Sequence, residues 1–227
     1  MGLKHHPRVV TNGLQVYLDA ANSRSYSGSG NTWYDLLGRI NFTLQNSPPF
    51  LANSAGGSIG FTAASSHWAS SSNNLPQMTR FTVEVWHYYT GVNIGETVIV
   101  TEAWPGTTYS INYNLGNINA GSGLRIGYFD GGWNSTSPYS LSANNWYHIS
   151  GTFDGSNLRL YINGINEVTT LNSGTPFGNG GGIYLMRRWD MDQFWGGHLS
   201  TVKIYNRALS QQEILQNYNA TKKRYGL

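Results

Sequence analysis

The sequence predicts an all-β protein in which two antiparallel sheets pack face to face as a sandwich, with one short helix near the C-terminus. Many short segments alternate apolar and polar residues, which is the period of a strand with one buried face. The 227 residues include 28 Gly and 14% aromatic side chains, a composition that suits tight turns and strands. Because so many short strands can bury their apolar faces only against each other, we expect a double-sheet sandwich.

The strand pattern starts at residues 13–19, where apolar and polar side chains alternate. Trp33 and Leu36 are expected to anchor the long Ser- and Gly-rich loop that follows to the core. Residues 81–90 are the strongest candidate for a central strand, because apolar residues occupy every second position at its start. Further strands are predicted at residues 41–45, 58–62, 96–102, 108–115, 123–130, 181–188 and 196–206.

The clearest hairpin lies in residues 146–164, WYHISGTFDGSNLRLYING. Two alternating runs flank Asp154-Gly155, and Asn163-Gly164 follows the second run. Asp-Gly and Asn-Gly pairs supply the positive-φ residues that tight hairpin turns need. The apolar face predicted for this hairpin consists of Tyr147, Ile149, Phe153, Leu158, Leu160 and Ile162.

Residues 210–220 are the segment with a helical pattern. Ser210 and Glu213 form a capping box, in which each side chain bonds to the other residue's backbone N–H, and an apolar stripe follows. The basic residues within 221–227 are expected to form a solvated tail, because no basic stripe runs through the body of the chain. Since there is no composition break or internal repeat, we expect residues 1–227 to form a single domain.

Three stretches resemble one known family. The segment with GTFDGS and LRLYING resembles the central hairpin of LamG-like jelly rolls in the concanavalin A-like lectin/glucanase superfamily. The ending LSTVKIYNRALSQQEI resembles that family's last strand, and the start NGLQVYLDAANSRSYSGSGNTWYDL resembles LamG-like domains of tailed-phage virion proteins. The resemblance implies an antiparallel jelly-roll sandwich. It leaves the function open, because the superfamily includes lectins, glycosidases, adhesion modules and virion proteins.

The sequence predicts no catalytic group. Glycoside hydrolysis uses two carboxylates across the scissile bond, and the Glu-x-Asp-x-x-Glu pattern of laminarinase-like relatives is missing. Glu84 stands alone in its strand, while Glu96 and Glu102 would lie about 20 Å apart along one strand. The chain has no Cys, and no nucleophilic serine elbow is predicted. His87 and His148 are expected to be packed histidines with satisfied ring nitrogens.

Neither a metal site nor a cofactor is expected. Many relatives carry an acidic Phe-Asp-Gly motif in an early strand, but the corresponding residues 60–70 contain no acid. Asp190 and Asp192 are spaced to face the same way, yet Arg187 and Arg188 precede them, which favours salt bridges over calcium binding. The net charge is only +3, so nucleic-acid binding is not expected. No apolar run has the length that crosses a membrane, so membrane insertion is not expected.

Aromatic residues in Gly-rich loops are the candidate binding residues. Exposed Trp side chains stack on sugar rings or anchor protein interfaces, where Trp and Arg often dominate the binding energy. The alternative is that each Trp fills an end of the sandwich. The candidates are Trp104, Trp133, Arg187, Trp189 and Trp195.

The phage resemblance, the missing carboxylate pair and the absence of an export signal favour a non-enzymatic structural protein of a virus particle. It would be a head decoration protein or a tail or fibre component, in a particle assembled in the host cytoplasm. Its expected partners are other virion proteins, further copies of the chain in a homo-oligomer, and a cell-surface glycan. The alternative is a carbohydrate-binding, lectin-like module, and the third hypothesis is a glycoside hydrolase.

Overall fold

The computed structural model describes residues 7–91, 97–103, 111–117, 123–177, 181–188 and 193–227. Within these residues the chain forms two antiparallel sheets of eight strands each. In chain order the strands are β1 (Leu14–Asp19), β2 (Thr32–Trp33), β3 (Phe42–Gln45), β4 (Phe50–Leu51), β5 (Ser58–Phe61), β6 (Trp68–Ser71), β7 (Phe81–Tyr89), β8 (Val98–Ala103), β9 (Ile111–Gly116), β10 (Arg125–Phe129), β11 (Trp133–Ser135), β12 (Asn145–Phe153), β13 (Asn157–Ile162), β14 (Ile165–Leu171), β15 (Gly182–Leu185) and β16 (Gly197–Tyr205).

The sheet that we call sheet I has the strand order β14-β13-β12-β7-β16-β5-β4, and β1 also pairs with β16. Sheet II has the order β11-β10-β9-β8-β15-β6-β3-β2. In sheet I, β7 pairs with β12 from Phe81 opposite Phe153 to Tyr89 opposite Asn145. The predicted fold class, an antiparallel two-sheet jelly roll with a short C-terminal helix, is confirmed.

The inner faces of the two sheets form the core. Phe81, Val83 and Val85 of β7 are fully buried, as their alternation predicted. The ring of Phe81 packs against Tyr113 of sheet II, with the two ring centroids 5.5 Å apart. Trp33, on the short strand β2, is also fully buried and belongs to the core. It therefore anchors the predicted loop segment in which it lies.

The predicted hairpin is present as β12 and β13, and β14 follows the second turn. Asp154 Oδ1 accepts hydrogen bonds from the backbone N–H groups two and three residues further on, at 2.8 and 2.7 Å. Gly155 has φ of +93°, while Asn163 and Gly164 have φ of +51° and +82°. The turns therefore use the left-handed backbone that their sequence predicted. The predicted apolar face of β13 lies in the core.

The predicted C-terminal helix is present as α1 (Gln211–Thr221), with Ser210 as its N-cap. The Ser210 hydroxyl accepts from the Glu213 backbone N–H at 3.3 Å, and the Glu213 carboxylate accepts from the Ser210 N–H at 2.9 Å. The capping box is therefore confirmed. The helix buries Ile214 and Asn217, and the Asn217 side chain bonds to Glu84 and Tyr205 on the outer face of sheet I.

The prediction of a solvated basic tail is right for Lys223, which is exposed, but wrong for Arg224. Residues 222–225 form a 3₁₀ turn, and the Tyr225 ring stacks on Trp86 with centroids 3.7 Å apart. Arg224 Nη1 donates to both carboxylate oxygens of Asp19, at 2.9 and 3.0 Å. The reason is that Trp86 points outward from β7, and burying its large apolar ring under Tyr225 is favourable. We call α1 and residues 222–225 the C-terminal cover.

Candidate ligand-binding cavity at one end of the sandwich

A cavity of about 730 Å³ opens where β5 and β7 end and β16 begins. Its volume lies within the range of about 300–1,000 Å³ that is typical of small-molecule sites. Thr62, Thr90, Gln193 and His198 contribute the polar groups of its lining, and glycines contribute bare backbone. We call it the end cavity. Its apolar walls come from Pro49, Leu51, Phe61, Ala63, Ala64 and Phe194.

Three partly exposed aromatic rings form a row on the outer face of sheet I. Trp146 on β12 lies opposite Tyr88 on β7, and Tyr88 lies opposite His198 on β16. The ring centroids of Trp146 and Tyr88 are 5.6 Å apart, and those of Tyr88 and His198 are 4.9 Å apart in a stacked pair. Because His198 also lines the end cavity, this aromatic row runs to the cavity wall.

His198 is a neutral group in this setting. Burial lowers the pKa of its imidazole below the ordinary value, so the ring is uncharged at neutral pH. Its Nδ1 lies 3.4 Å from the Ser54 hydroxyl oxygen. A neutral imidazole offers one donor and one acceptor, a combination that suits hydroxyl groups of a ligand.

Phe194, which lines the end cavity, also belongs to a second aromatic group. The guanidinium carbon of Arg187 lies 5.8 Å from the Phe194 ring centroid and 4.4 Å from that of Trp68. Trp68 stacks against Tyr184 with centroids 6.0 Å apart. All four side chains are partly exposed. Arg187 therefore borders the cavity through cation–π contacts.

Trp195 and His87 are fully buried in the core. The Trp195 indole N–H donates to His87 Nε2 at 3.0 Å, which places the His87 proton on Nδ1, 3.1 Å from the His198 carbonyl oxygen. Burial lowers the pKa of His87 to about 3. The prediction of a packed, satisfied His87 is confirmed. Trp195 as a binding candidate is wrong, because it has no exposed surface and its N–H is already bonded.

Glu84 is enclosed beneath the C-terminal cover and is fully buried. Lys203 Nζ donates to Glu84 Oε1 at 2.7 Å, and Asn217 Nδ2 donates to Oε2 at 2.9 Å. Burial alone would raise the pKa of Glu84, but the Lys203 ammonium and His148 outweigh it and hold the pKa well below its ordinary value. Both oxygens of this carboxylate are bonded to neighbouring side chains, so Glu84 stabilises the fold.

His148 departs from its prediction as a histidine with two satisfied ring nitrogens. Its Nε2 lies 3.2 Å from Glu84 Oε1, whereas its Nδ1 has no hydrogen-bond partner in the described residues. The prediction is therefore wrong for this residue. The ring packs between Trp86 and Tyr218, with centroids 5.1 and 5.8 Å away.

Among the described residues, no group of three or more His, Asp or Glu side chains is arranged to hold a metal ion. In the same part of the chain, no helix combines the length and hydrophobicity that crossing a bilayer requires. Asp190 and Asp192 lie outside the described residues.

Residues 61–215, more than half of the chain, match the family model of the concanavalin A-like lectin/glucanases superfamily. The chain belongs to this superfamily. The sequence resemblance to superfamily jelly rolls is thereby confirmed, while the phage part of that resemblance stays a prediction. No curated protein sequence matches the chain.

Solved structures with the same superfamily fold come from several proteins. Domain 4 of AbnA, a GH43 extracellular arabinanase from Geobacillus stearothermophilus in complex with arabinotriose, has a TM-score of 0.72 at 14% identity, over 90% of this chain and 98% of that one. The binding domain of Paraclostridial Mosquitocidal Protein 1 has a TM-score of 0.70 at 17% identity, over 92% of this chain and 52% of that one. Trypanosoma rangeli sialidase has a TM-score of 0.66 at 16% identity, over 95% of this chain and 34% of that one. At these identities the likeness concerns the fold, and the chain spans about a third of the sialidase.

Of the described candidates, Trp133 and Arg187 lie apart, because β10, β9 and β8 separate β11 from β15 in sheet II. Trp133 lies on β11 in sheet II, partly exposed, with its ring 5.5 Å from that of Phe129. Arg187 borders the end cavity through Phe194. Trp104 and Trp189 lie outside the described residues.

Sequence reasoning missed the aromatic row, because its members look like ordinary strand residues. The signal that could have found it is the alternation of side chains between the two faces of a strand. Tyr88 follows the outward positions of β7, opposite to its core-facing Phe81 and Val83, and Trp146 pairs with it on the neighbouring strand. Outward aromatics at paired positions of adjacent strands indicate a surface platform.

Proposed function

We propose that this chain is a carbohydrate-binding, lectin-like module that binds its glycan in the end cavity and on the aromatic row, without turnover. The observation that carries the proposal is the continuity between the partly exposed rings of Trp146, Tyr88 and His198 and the cavity that His198 lines. Aromatic rings present apolar faces for a sugar's C–H groups, while a few placed polar groups fix its orientation.

The chemistry of the lining supports binding over hydrolysis. The described lining residues are apolar or neutral, with His198 uncharged at neutral pH. Glycoside hydrolysis relies on a pair of carboxylates beside the scissile bond. Glu84, the acid of the central strand, is occupied by Lys203 and Asn217. Binding without catalysis therefore accounts for the site with fewer assumptions.

The fold comparisons favour this alternative over the virion hypothesis. One similar structure is described as an arabinanase domain in complex with arabinotriose, and another as the binding domain of a toxin. The virion role, with its protein partners, homo-oligomer and assembly in the host cytoplasm, rests on the sequence resemblance to phage proteins and stays a prediction. A glycan-binding module is compatible with either context.

A pair of matched tryptophan variants tests the site. We expect Trp146→Ala to weaken glycan binding about tenfold or more, since a central aromatic contact is often worth at least that much. Trp133→Ala, at a partly exposed position in the other sheet, should leave binding within about twofold. Binding is measured on a glycan array and then by calorimetry, with thermal melting as the check of folding.

The opposite ranking of these two variants would move the binding site to sheet II. Equal binding by folded Trp146→Ala and wild type would remove the aromatic row from the site. Either result overturns the proposal as stated.

A further inference from the structure

The walls of the end cavity are more apolar than the hydroxyl-rich face of a sugar requires. Leu51, Phe61, Ala63 and Phe194 all line it. A hydroxyl group placed against such a wall would lose its hydrogen bonds to water without replacement, which is unfavourable. A methyl group placed there gains by burial, because its apolar surface leaves water. The cavity therefore suits a glycan that carries an apolar substituent.

Gln193 adds a polar requirement within the same cavity. Its side-chain Oε1 is buried and has no hydrogen-bond partner among the described residues. A buried polar atom without a partner costs free energy. Because the Gln193 side chain as a whole is partly exposed, a rotation of its amide brings the unpartnered group to a ligand, which recovers part of that cost. Because the oxygen and nitrogen of a glutamine amide exchange places on a flip, the best complement offers both a donor and an acceptor.

We propose that the end cavity recognises the acetamido group of a neutral N-acetylated amino sugar, an inference that rests on the proposed glycan-binding function. The acetamido N–H and carbonyl oxygen complement the Gln193 side chain in either orientation. The acetamido methyl group contacts the apolar walls around Leu51 and Phe194. The sugar ring then lies towards His198 and the aromatic row.

The charge of the site separates this ligand class from acidic sugars. The described lining contains no Lys or Arg. Two cations lie beside the described lining. Arg187 is engaged over the rings of Trp68 and Phe194. The Arg188 backbone N–H donates to the Gln193 carbonyl oxygen at 3.0 Å. His198 is uncharged at neutral pH because burial lowers its pKa. A carboxylated sugar such as a sialic acid would bring a charge against a lining whose described residues offer no counter-charge, so the class is a neutral N-acetylhexosamine.

The test compares glycans that differ only by the acetamido group. Calorimetry is run with tri-N-acetylchitotriose and cellotriose, which share ring and linkage, and a glycan array adds N-acetylgalactosamine glycans beside their galactose counterparts. We expect the acetamido member of at least one pair to bind at least tenfold more tightly. Gln193→Leu should reduce that preference to within about threefold, while Gln45→Leu, on β3 of sheet II, should leave it unchanged.

Each outcome bears on a different part of the account. Equal binding within every pair would overturn the acetamido inference and leave the proposed glycan binding intact. No binding to any glycan would overturn both. An acetamido preference that survives in folded Gln193→Leu would overturn the assignment to this cavity. A strong preference for sialylated glycans would contradict the neutral class.

Discussion

At the scale of single residues, the molecule separates buried charges that hold the fold from the neutral groups that line its cavity. Glu84 and Lys203 are both fully buried and lie 2.7 Å apart, with Asn217 on the second carboxylate oxygen. A buried ion pair of this kind is costly to break, because the remaining charge has no water. The pair therefore ties β7 to β16 and to the helix above them.

Lys203→Met tests this role. We expect the free energy of unfolding at pH 7 to fall by about 3–5 kcal/mol, because Glu84 is left buried without its counter-charge. Adding Glu84→Gln should recover part of the loss, since no uncompensated charge remains. Urea denaturation measures both variants. A single variant as stable as wild type would show that the pair contributes nothing.

The same pair sets a pH dependence. Interaction with Lys203 holds the pKa of Glu84 below its ordinary value, so the unfolded chain takes up a proton near pH 4.5 before the folded chain does. Stability is therefore present above about pH 4.5 and falls as the pH decreases below it. The wild type should lose stability between pH 5 and 3 more steeply than the Glu84→Gln, Lys203→Met double variant. Parallel curves would contradict this account.

At the scale of elements, the C-terminal cover converts the outer face of sheet I into a second core. Trp86 would be a large exposed ring without it. Its indole N–H donates to the Thr221 hydroxyl at 2.8 Å, and Tyr225 stacks on its face at 3.7 Å. The cover ends before the aromatic row does, since Trp146 and Tyr88 remain partly exposed. The boundary of the cover thus defines where the proposed binding surface begins.

Tyr225→Ala measures what the end of the cover contributes. We expect a loss of about 3–5 kcal/mol in unfolding free energy, the usual cost of removing a large buried ring. The fluorescence emission of the folded variant should also shift to the red, because Trp86 becomes exposed. Lys223→Ala, on an exposed neighbour, is the control and should change stability by less than about 0.5 kcal/mol. An unshifted emission with unchanged stability would contradict the role of the cover.

At the scale of the whole molecule, the sequence predicts the sandwich well because its long strands carry a readable period. Phe81, Val83 and Val85 mark one core face, and they lie in the core. The strands absent from the prediction are β2, β4, β6, β11 and β14. The two-residue strands β2 and β4 are too short to show alternation, and β14 is an exposed edge strand without an apolar face. Part of the tail was misjudged because its Lys and Arg suggested solvation, whereas the ring of Tyr225 and the Arg224–Asp19 pair decide its position.

The site was far less predictable, for a topological reason. Leu51, Thr90 and Phe194 are distant in sequence and meet because β7, β16, β5 and β4 are consecutive strands of sheet I. Strand order does not follow from alternation. Trp133 and Trp195 look alike in sequence, each beside glycines, yet one is partly exposed and the other fully buried. Whether each side chain is exposed depends on how the ends of the two sheets pack, which the local sequence does not specify.

The most direct test of the central claim is to screen the purified wild-type chain on a glycan array, titrate the strongest glycan by calorimetry, and analyse the recovered sugar by chromatography. The account predicts saturable binding and recovery of the glycan intact. Failure to bind any glycan, or recovery of cleaved sugar, would contradict it.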